Sequence, residues 1–468
     1  MGRDVMQPYS QATLCTSKTR GTHIRFGNGL ILFSIVVALG LRLVSEKTAI
    51  LSYVVLSILA LFGLRHTILA LAMSWLITML NPGLAPVSPY VDLGRYFVIL
   101  AAAGSVVLKS GVVWTVRVHK LIFCTLCLGA FFIVHSLVVS PIRSVSLLKA
   151  LTWTIVIMTL LAAWSILRTE ERNKLSDHIY FGLVAVALLS LPLILLPVGF
   201  FRNNLGFQGI LNHPQAFGVT MALLGAWTVG RLLGTFRPHW GSVLLVVLCL
   251  VLISLSESRT AGLAMVFGVG TAVPVAALLS GRKIASILPS IRSQRFWLIL
   301  TLCLSALIIA SPILSAQINQ FITKSGRADA SSLGEAYYES RGVLIDPMLE
   351  NVAAAPFRGI GFGIASHPKI MDLRRDPVLG LPIGASVEKG VMPLAVLEEV
   401  GVFGLLFVLL WLGMLLRRSA RSGIAPFTVV LTILYINLGE SVFFSPGGMG
   451  MLCLILFGWA VTKGREAN

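Results

Sequence analysis

Apolar runs recur along the whole of this chain, near residues 29–44, 48–64, 66–80, 96–108, 121–139, 148–167, 180–199, 214–233, 242–256, 260–280, 296–315, 392–416, 424–444 and 447–462. A helix that crosses the hydrocarbon core of a bilayer needs ~20 predominantly apolar residues. Several runs sit near the lower limit, so the pattern predicts an all-α polytopic membrane protein of about 12–14 transmembrane helices. With 56% hydrophobic and 12% charged residues and a mean hydropathy of +0.89, a soluble globular reading is excluded. The expected organisation is a tail (1–28), transmembrane helices (29–315), a long loop (316–391), further transmembrane helices (392–462) and a short tail (463–468).

The formal charge of +18 raises the question of nucleic acid. Basic blocks interleaved with aromatics are absent, and the cations lie singly or in small groups between apolar runs, which fits the loop bias of membrane proteins. With the N-terminus placed in the cytoplasm and sides alternated, 22 Lys and Arg fall on the cytoplasmic side. Only 7 fall in short loops on the other side, and 8 more in the long loop, which counts little in this rule. Both termini are therefore expected in the cytoplasm and the long loop outside it. The basic first 28 residues, followed by an apolar run without a small-residue cleavage site, read as a retained tail.

Of six cysteines, all but Cys15 lie inside apolar runs, so a disulfide framework is not expected. Cys124 and Cys127 form a CxxC with no second pair or His cluster, which reads as core packing. No Walker or dinucleotide motif, internal repeat, HExxH or DxD occurs, so no metal or other cofactor is expected.

The one long polar stretch between apolar runs, Gln317 to Val391, contains PFRGIGFG at 356–363. Three glycines among apolar residues suit a tight re-entrant or cleft-lining turn. Its middle, Leu333 to Ala355, has helical composition with an expected break at Asp346-Pro347, and short helices lying on the membrane surface are expected there.

Arginines on the non-cytoplasmic side need a reason. Arg202 lies in FFRNNLGFQGILNHPQ, Arg259 in the short connection SLSESRTAGLA, and Arg341 in YYESRGVLIDP. A charge at membrane depth costs at least ~2.5 kcal/mol without a wet cavity or a partner, and the guanidinium fork matches phosphate. Together they are candidates for an anion site. Each also has an ordinary alternative: Arg259 pairs with Glu257, Arg202 snorkels to the interface, and Arg341 pairs with Glu339 or is solvated. Glu388 in GASVEKGVMPLAVLEEVG, beside Lys389, is the candidate general base ahead of His367, its alternative being a solvated ion pair with Lys389. Arg358, Lys389 and His367 are further substrate-binding candidates. Glu398, Glu399 and Glu440 lie inside apolar runs, where acids face the bundle interior, as structural hydrogen-bond partners or as a proton path.

The order NHPQAFG after an arginine, SESRTAGLA, then ESR…P…GIGFG in a long loop, then LAVLEEVGVFGLL, resembles the O-antigen ligase and polymerase family of bacterial surface polysaccharide assembly, over about residues 195–416. The resemblance implies a GT-C-like helical fold in the bacterial inner membrane and a metal-independent, inverting glycosyltransferase. Its donor would be a glycan on undecaprenyl diphosphate, taken at the periplasmic face, and its acceptor a glycan or lipid A core. Membrane lipids and a chain-length regulator are the other partners it suggests. By the same resemblance Arg202 and Arg259 match arginines that grip the diphosphate, and Arg341 the loop arginine. Ligases of this family carry a His-Asn pair where this chain reads SVEKGVMPL, and Glu388 falls two positions before the expected His. That departure favours a polymerase over a lipopolysaccharide ligase. A lipid-linked glycan flippase or secondary transporter is the alternative of another class, and would show broken or charged helices near the midplane.

Overall fold

The computed structural model describes residues 28–110, 116–200, 206–323, 333–371, 373–375, 380, 382–385 and 389–463. It is mainly helical: α1 (Asn28–Val44), α2 (Ala49–Leu61), α3 (Leu64–Thr78), α4 (Val91–Ser110), α5 (Val116–Val138), α6 (Arg143–Ile166), α7 (Thr169–Ser190) and α8 (Pro214–Gly234). There follow α9 (Trp240–Leu255), α10 (Arg259–Ser280), the single turn α11 (Ile284–Ile287), α12 (Gln294–Thr323), α13 (Leu333–Ala354), α14 (Met392–Ala420), α15 (Ile424–Ile436) and α16 (Met449–Lys463). Two short antiparallel strands, β1 (Leu373–Arg375) and β2 (Pro382–Ala385), make the one sheet among the described residues.

This is an all-α architecture with the apolar helices of a multi-pass membrane protein. Among the described residues seven helices are long and apolar enough to cross a membrane, and seven more apolar helices are shorter. The 13 residues of α2 rise only about 20 Å, less than a ~30 Å hydrocarbon core. The run at 180–199 ends as an α-helix at Ser190 and continues in 3-10 turns from Leu191, while the run at 424–444 is helical only to Ile436. Apolar composition alone does not distinguish these irregular pieces from helix, because the same side chains occur in both.

Two further expectations change. α12 continues to Thr323, beyond the expected end at 315, and α13 runs unbroken through Pro347. A proline forfeits one backbone hydrogen bond, and the fully buried Met348 beside it holds the helix against the bundle.

α16 lies at the centre, buried from Gly450 to Thr462, with the Trp459 ring tilted against Trp227 of α8 at 4.3 Å and Phe457 edge-on to Phe443 at 5.0 Å. Close backbone approach holds the helices where lipid supplies no hydrophobic drive. Gly268 of α10 meets Thr432 of α15 at a spot where a Cβ would strike backbone.

Alternate connections gather at opposite ends. At one end Asn212 N donates to Met79 O (2.7 Å), Phe207 N to Leu255 O (2.8 Å) and Met392 N to Asn437 O (2.9 Å). At the other, Arg172 Nη1 donates to Thr462 O (3.1 Å) and Arg231 pairs with Asp177 (3.0 Å). The first, the turn end, carries the PFRGIGFG segment; the second carries most of the basic loops.

Candidate functional site

The turn end is built around a break in α14. Gly401 has φ 69° and ψ −177°, so the helix is interrupted after Glu398, Glu399 and Val400. The groups the break frees are taken by the turn at 356–363: Ile360 N donates to Glu398 O (2.9 Å), Gly361 N to Glu399 O (3.0 Å), and Val402 N to Pro356 O (2.9 Å). Gly359, at φ 68°, packs on the Glu399 carbonyl, and Gly401 packs on the Phe357 carbonyl. Only residues without a Cβ fit both places at these dihedrals.

Charged side chains lock the same joint. Lys389 Nζ lies 2.6 Å from Glu398 Oε2 and 3.2 Å from Glu399 Oε1, with side chains 1%, 0% and 8% exposed. Glu399 Oε2 accepts from Gly363 N (2.7 Å), and Glu398 Oε1 from Asn351 Nδ2 (2.7 Å), which also donates to Ser366 O (2.8 Å). Buried carboxylates persist only when paired and hydrogen-bonded, and both have their oxygens engaged. From below, Phe362 stacks on Phe132 of α5 (4.2 Å), Ser146 Oγ of α6 donates to Phe362 O (2.6 Å), and His135 Nε2 donates to Arg358 O (2.6 Å). Lys149 of α6 reaches within 5.7 Å of the Phe362 ring centroid. The turn is thus a rigid mount, fixed by α5, α6, α13 and α14.

A second tight turn stands at this end. Ser256, Glu257 and Ser258 join α9 to α10, and the two serines close over Gly218 of α8. Glu257, at φ 54°, is the one non-glycine residue with positive φ among the described residues, a strained conformation. Arg259 follows as the first, half-buried residue of α10. α8 starts nearby because His213 Nδ1 accepts from Gln215 N (3.2 Å) ahead of Pro214 at the first helical position. Gly439, in the turn after α15, packs on Thr260, and Asn437 O accepts from Met392 N, so the starts of α10 and α14 are linked through that turn. α8, α10 and α14 all begin here, turning their positive dipole ends to this side.

Of the residues singled out in the sequence, the exposed Arg358 projects from the fixed turn, and the exposed His367 precedes a short 3-10 turn. The ammonium of Lys389 is held between two buried carboxylates. Arg341 lies on α13, with its side chain outside the described residues, and Arg202 and Glu388 lie outside them altogether. Sequence reading did not single out Asn351, His135, Ser146 or Lys149, nor Arg95, which pairs with Asp92 (3.5 Å) at the start of α4. No local motif marks these residues; an acid inside an apolar run was the one available signal, and it does not name its partner. Among the described residues no group of three or more His, Cys, Asp and Glu side chains gathers in a way that could hold a metal ion.

No family model matches the chain, and no curated protein matches it in sequence.

Proposed function

We propose that this protein is a glycosyltransferase of the bacterial inner membrane that polymerises, or ligates, an undecaprenyl-diphosphate-linked oligosaccharide at the periplasmic face. In this reading the turn end is periplasmic. The donor diphosphate lies against Arg259, Arg202 and Arg341, with Arg358 beside it. Glu388 takes the proton of the acceptor hydroxyl as its oxygen attacks the anomeric carbon; the anomeric carbon–phosphate oxygen bond breaks, the configuration inverts, and undecaprenyl diphosphate leaves. Cations positioned on developing diphosphate charge lower such a barrier directly.

One observation carries the reading: the 356–363 turn, hydrogen-bonded into the break of α14, stands at the same end of the bundle as the strained turn that sets Arg259 at the head of α10. Two rigid mounts at one end, each next to an arginine, suit a site that must hold a charged leaving group without reorganising. The test is incubation of the purified protein with a lipid-linked repeat unit. A ladder of products is expected, a single transfer product would mark a ligase, and an unchanged donor would overturn the reading.

The break in α14 also favours a second reading, a secondary transporter, since such proteins bind ions at interrupted helices. Against it, the Glu398 and Glu399 carbonyls already accept from Ile360 and Gly361, and both carboxylates are paired. Counter-flow of lipid-linked glycan across proteoliposomes without bond formation would favour transport.

A further inference from the structure

The end of the bundle opposite the turn carries an unassigned feature, the elbow between α10 and α12. Gly281, at φ 66°, closes α10; α11 makes one turn, a 3-10 turn follows at Pro289–Arg292, and α12 starts at Gln294. The inner side of the elbow is satisfied: Leu288, with Ile287 and Ile291, packs on Ala272, Ala276, Ala420, Ile424 and Phe427 at the ends of α10, α14 and α15.

The outer side is different. Arg282, Lys283, Arg292 and Arg295 are all exposed, and Arg417 in the last turn of α14 is exposed as well. No Asp or Glu occurs from residue 258 to 328 or from 400 to 439, so neither stretch supplies a carboxylate, and Asp177 at the same end is engaged by Arg231. Apolar side chains are exposed among the cations: Ile284 is 52% and Trp297 53% exposed, with the indole N–H of Trp297 fixed on Ile291 O (2.8 Å). Cations and exposed apolar groups on one short pinned segment, with a Trp anchored beside them, are the chemistry of the boundary between phosphate headgroups and acyl chains.

We propose that this elbow is a binding site for anionic phospholipid. The guanidinium and ammonium groups of Arg282, Lys283, Arg292 and Arg295 hold the lipid phosphates, while Ile284 and Trp297 dip among the acyl chains. An acidic soluble protein would not need those apolar groups.

The test uses the full chain in nanodiscs of equal phosphatidylglycerol and phosphatidylcholine, re-extracted into detergent, with the lipids that stay bound quantified. Phosphatidylglycerol is expected to be enriched on the wild type, and R282Q/K283Q/R292Q/R295Q should lower that enrichment about fivefold or more. R282K/R292K/R295K, which keeps the charge, and K369Q/R375Q at the turn end should both retain it. Equal enrichment in the quadruple variant, as an acidic protein partner would give, overturns the proposal, as does an equal loss in K369Q/R375Q, which would mark a bulk charge effect. Because the elbow is at the end away from the candidate transfer site, a negative result here leaves the glycosyl-transfer reading untouched.

Discussion

Lys389 and Glu398 meet Nζ to Oε2 at 2.6 Å with side chains 1% and 0% exposed. Glu399 completes the group at 3.2 Å. Breaking a buried pair from one side leaves an uncompensated charge, whereas removing every partner costs far less. Lys389→Ala should therefore destabilise the protein by about 3–5 kcal/mol, and Lys389→Met with Glu398→Gln and Glu399→Gln should recover much of the loss. Thermal unfolding in detergent checks both, and an unchanged midpoint for Lys389→Ala would remove the joint from the account of stability.

Gly401 supports the break in α14 by packing at positive φ against the Phe357 carbonyl. Gly401→Ala should cost at least about 1–3 kcal/mol from the backbone alone, with displacement of the 356–363 turn besides. Gly413 in the same helix has open space around it, so Gly413→Ala should be neutral or stabilising by up to about 1 kcal/mol. Similar midpoints for the two variants would count against a structural requirement for glycine at the break.

Asn351 joins α13 to α14 by donating to Glu398 Oε1 and Ser366 O. A double-mutant cycle of Asn351→Ala with Glu398→Gln should show a coupling of about 0.5–3 kcal/mol. Additive effects would mean that the contact carries no energy.

Glu257 holds its positive φ at the turn closed over Gly218. Because glycine adopts this region at no steric cost, relief of about 1–2 kcal/mol of strain outweighs the roughly 0.4–1 kcal/mol lost to a freer unfolded chain, and Glu257→Gly should stabilise the protein by up to about 1 kcal/mol. A loss of stability would show that the backbone strain at Glu257 is smaller than what the side chain and the stiffer unfolded chain contribute.

Arg259→Ala should abolish polymer formation in cells at unchanged protein level, a fall of about 100-fold or more, as for removal of one group that stabilises transition-state charge. Retained polymer would sink the assigned role of this guanidinium.

The class of this protein was legible from hydropathy, because burial in lipid is demanded residue by residue along each helix, and so was the glycine-rich turn at 356–363, because three glycines among apolar residues allow little else. The alternation of basic and less basic connections was legible too, each loop being short enough to stay on one side. Which acids would be neutralised, and by what, was decided only in three dimensions. Glu398 finds its partners at Lys389 and Asn351, Glu399 at Lys389 and Gly363, and Ser146 reaches Phe362 across 216 residues. A broken helix reads in sequence as one apolar run, since the residues flanking Gly401 are apolar in either case. Its freed backbone groups take their partners from a turn some forty residues earlier, and only packing brings that turn within hydrogen-bonding reach.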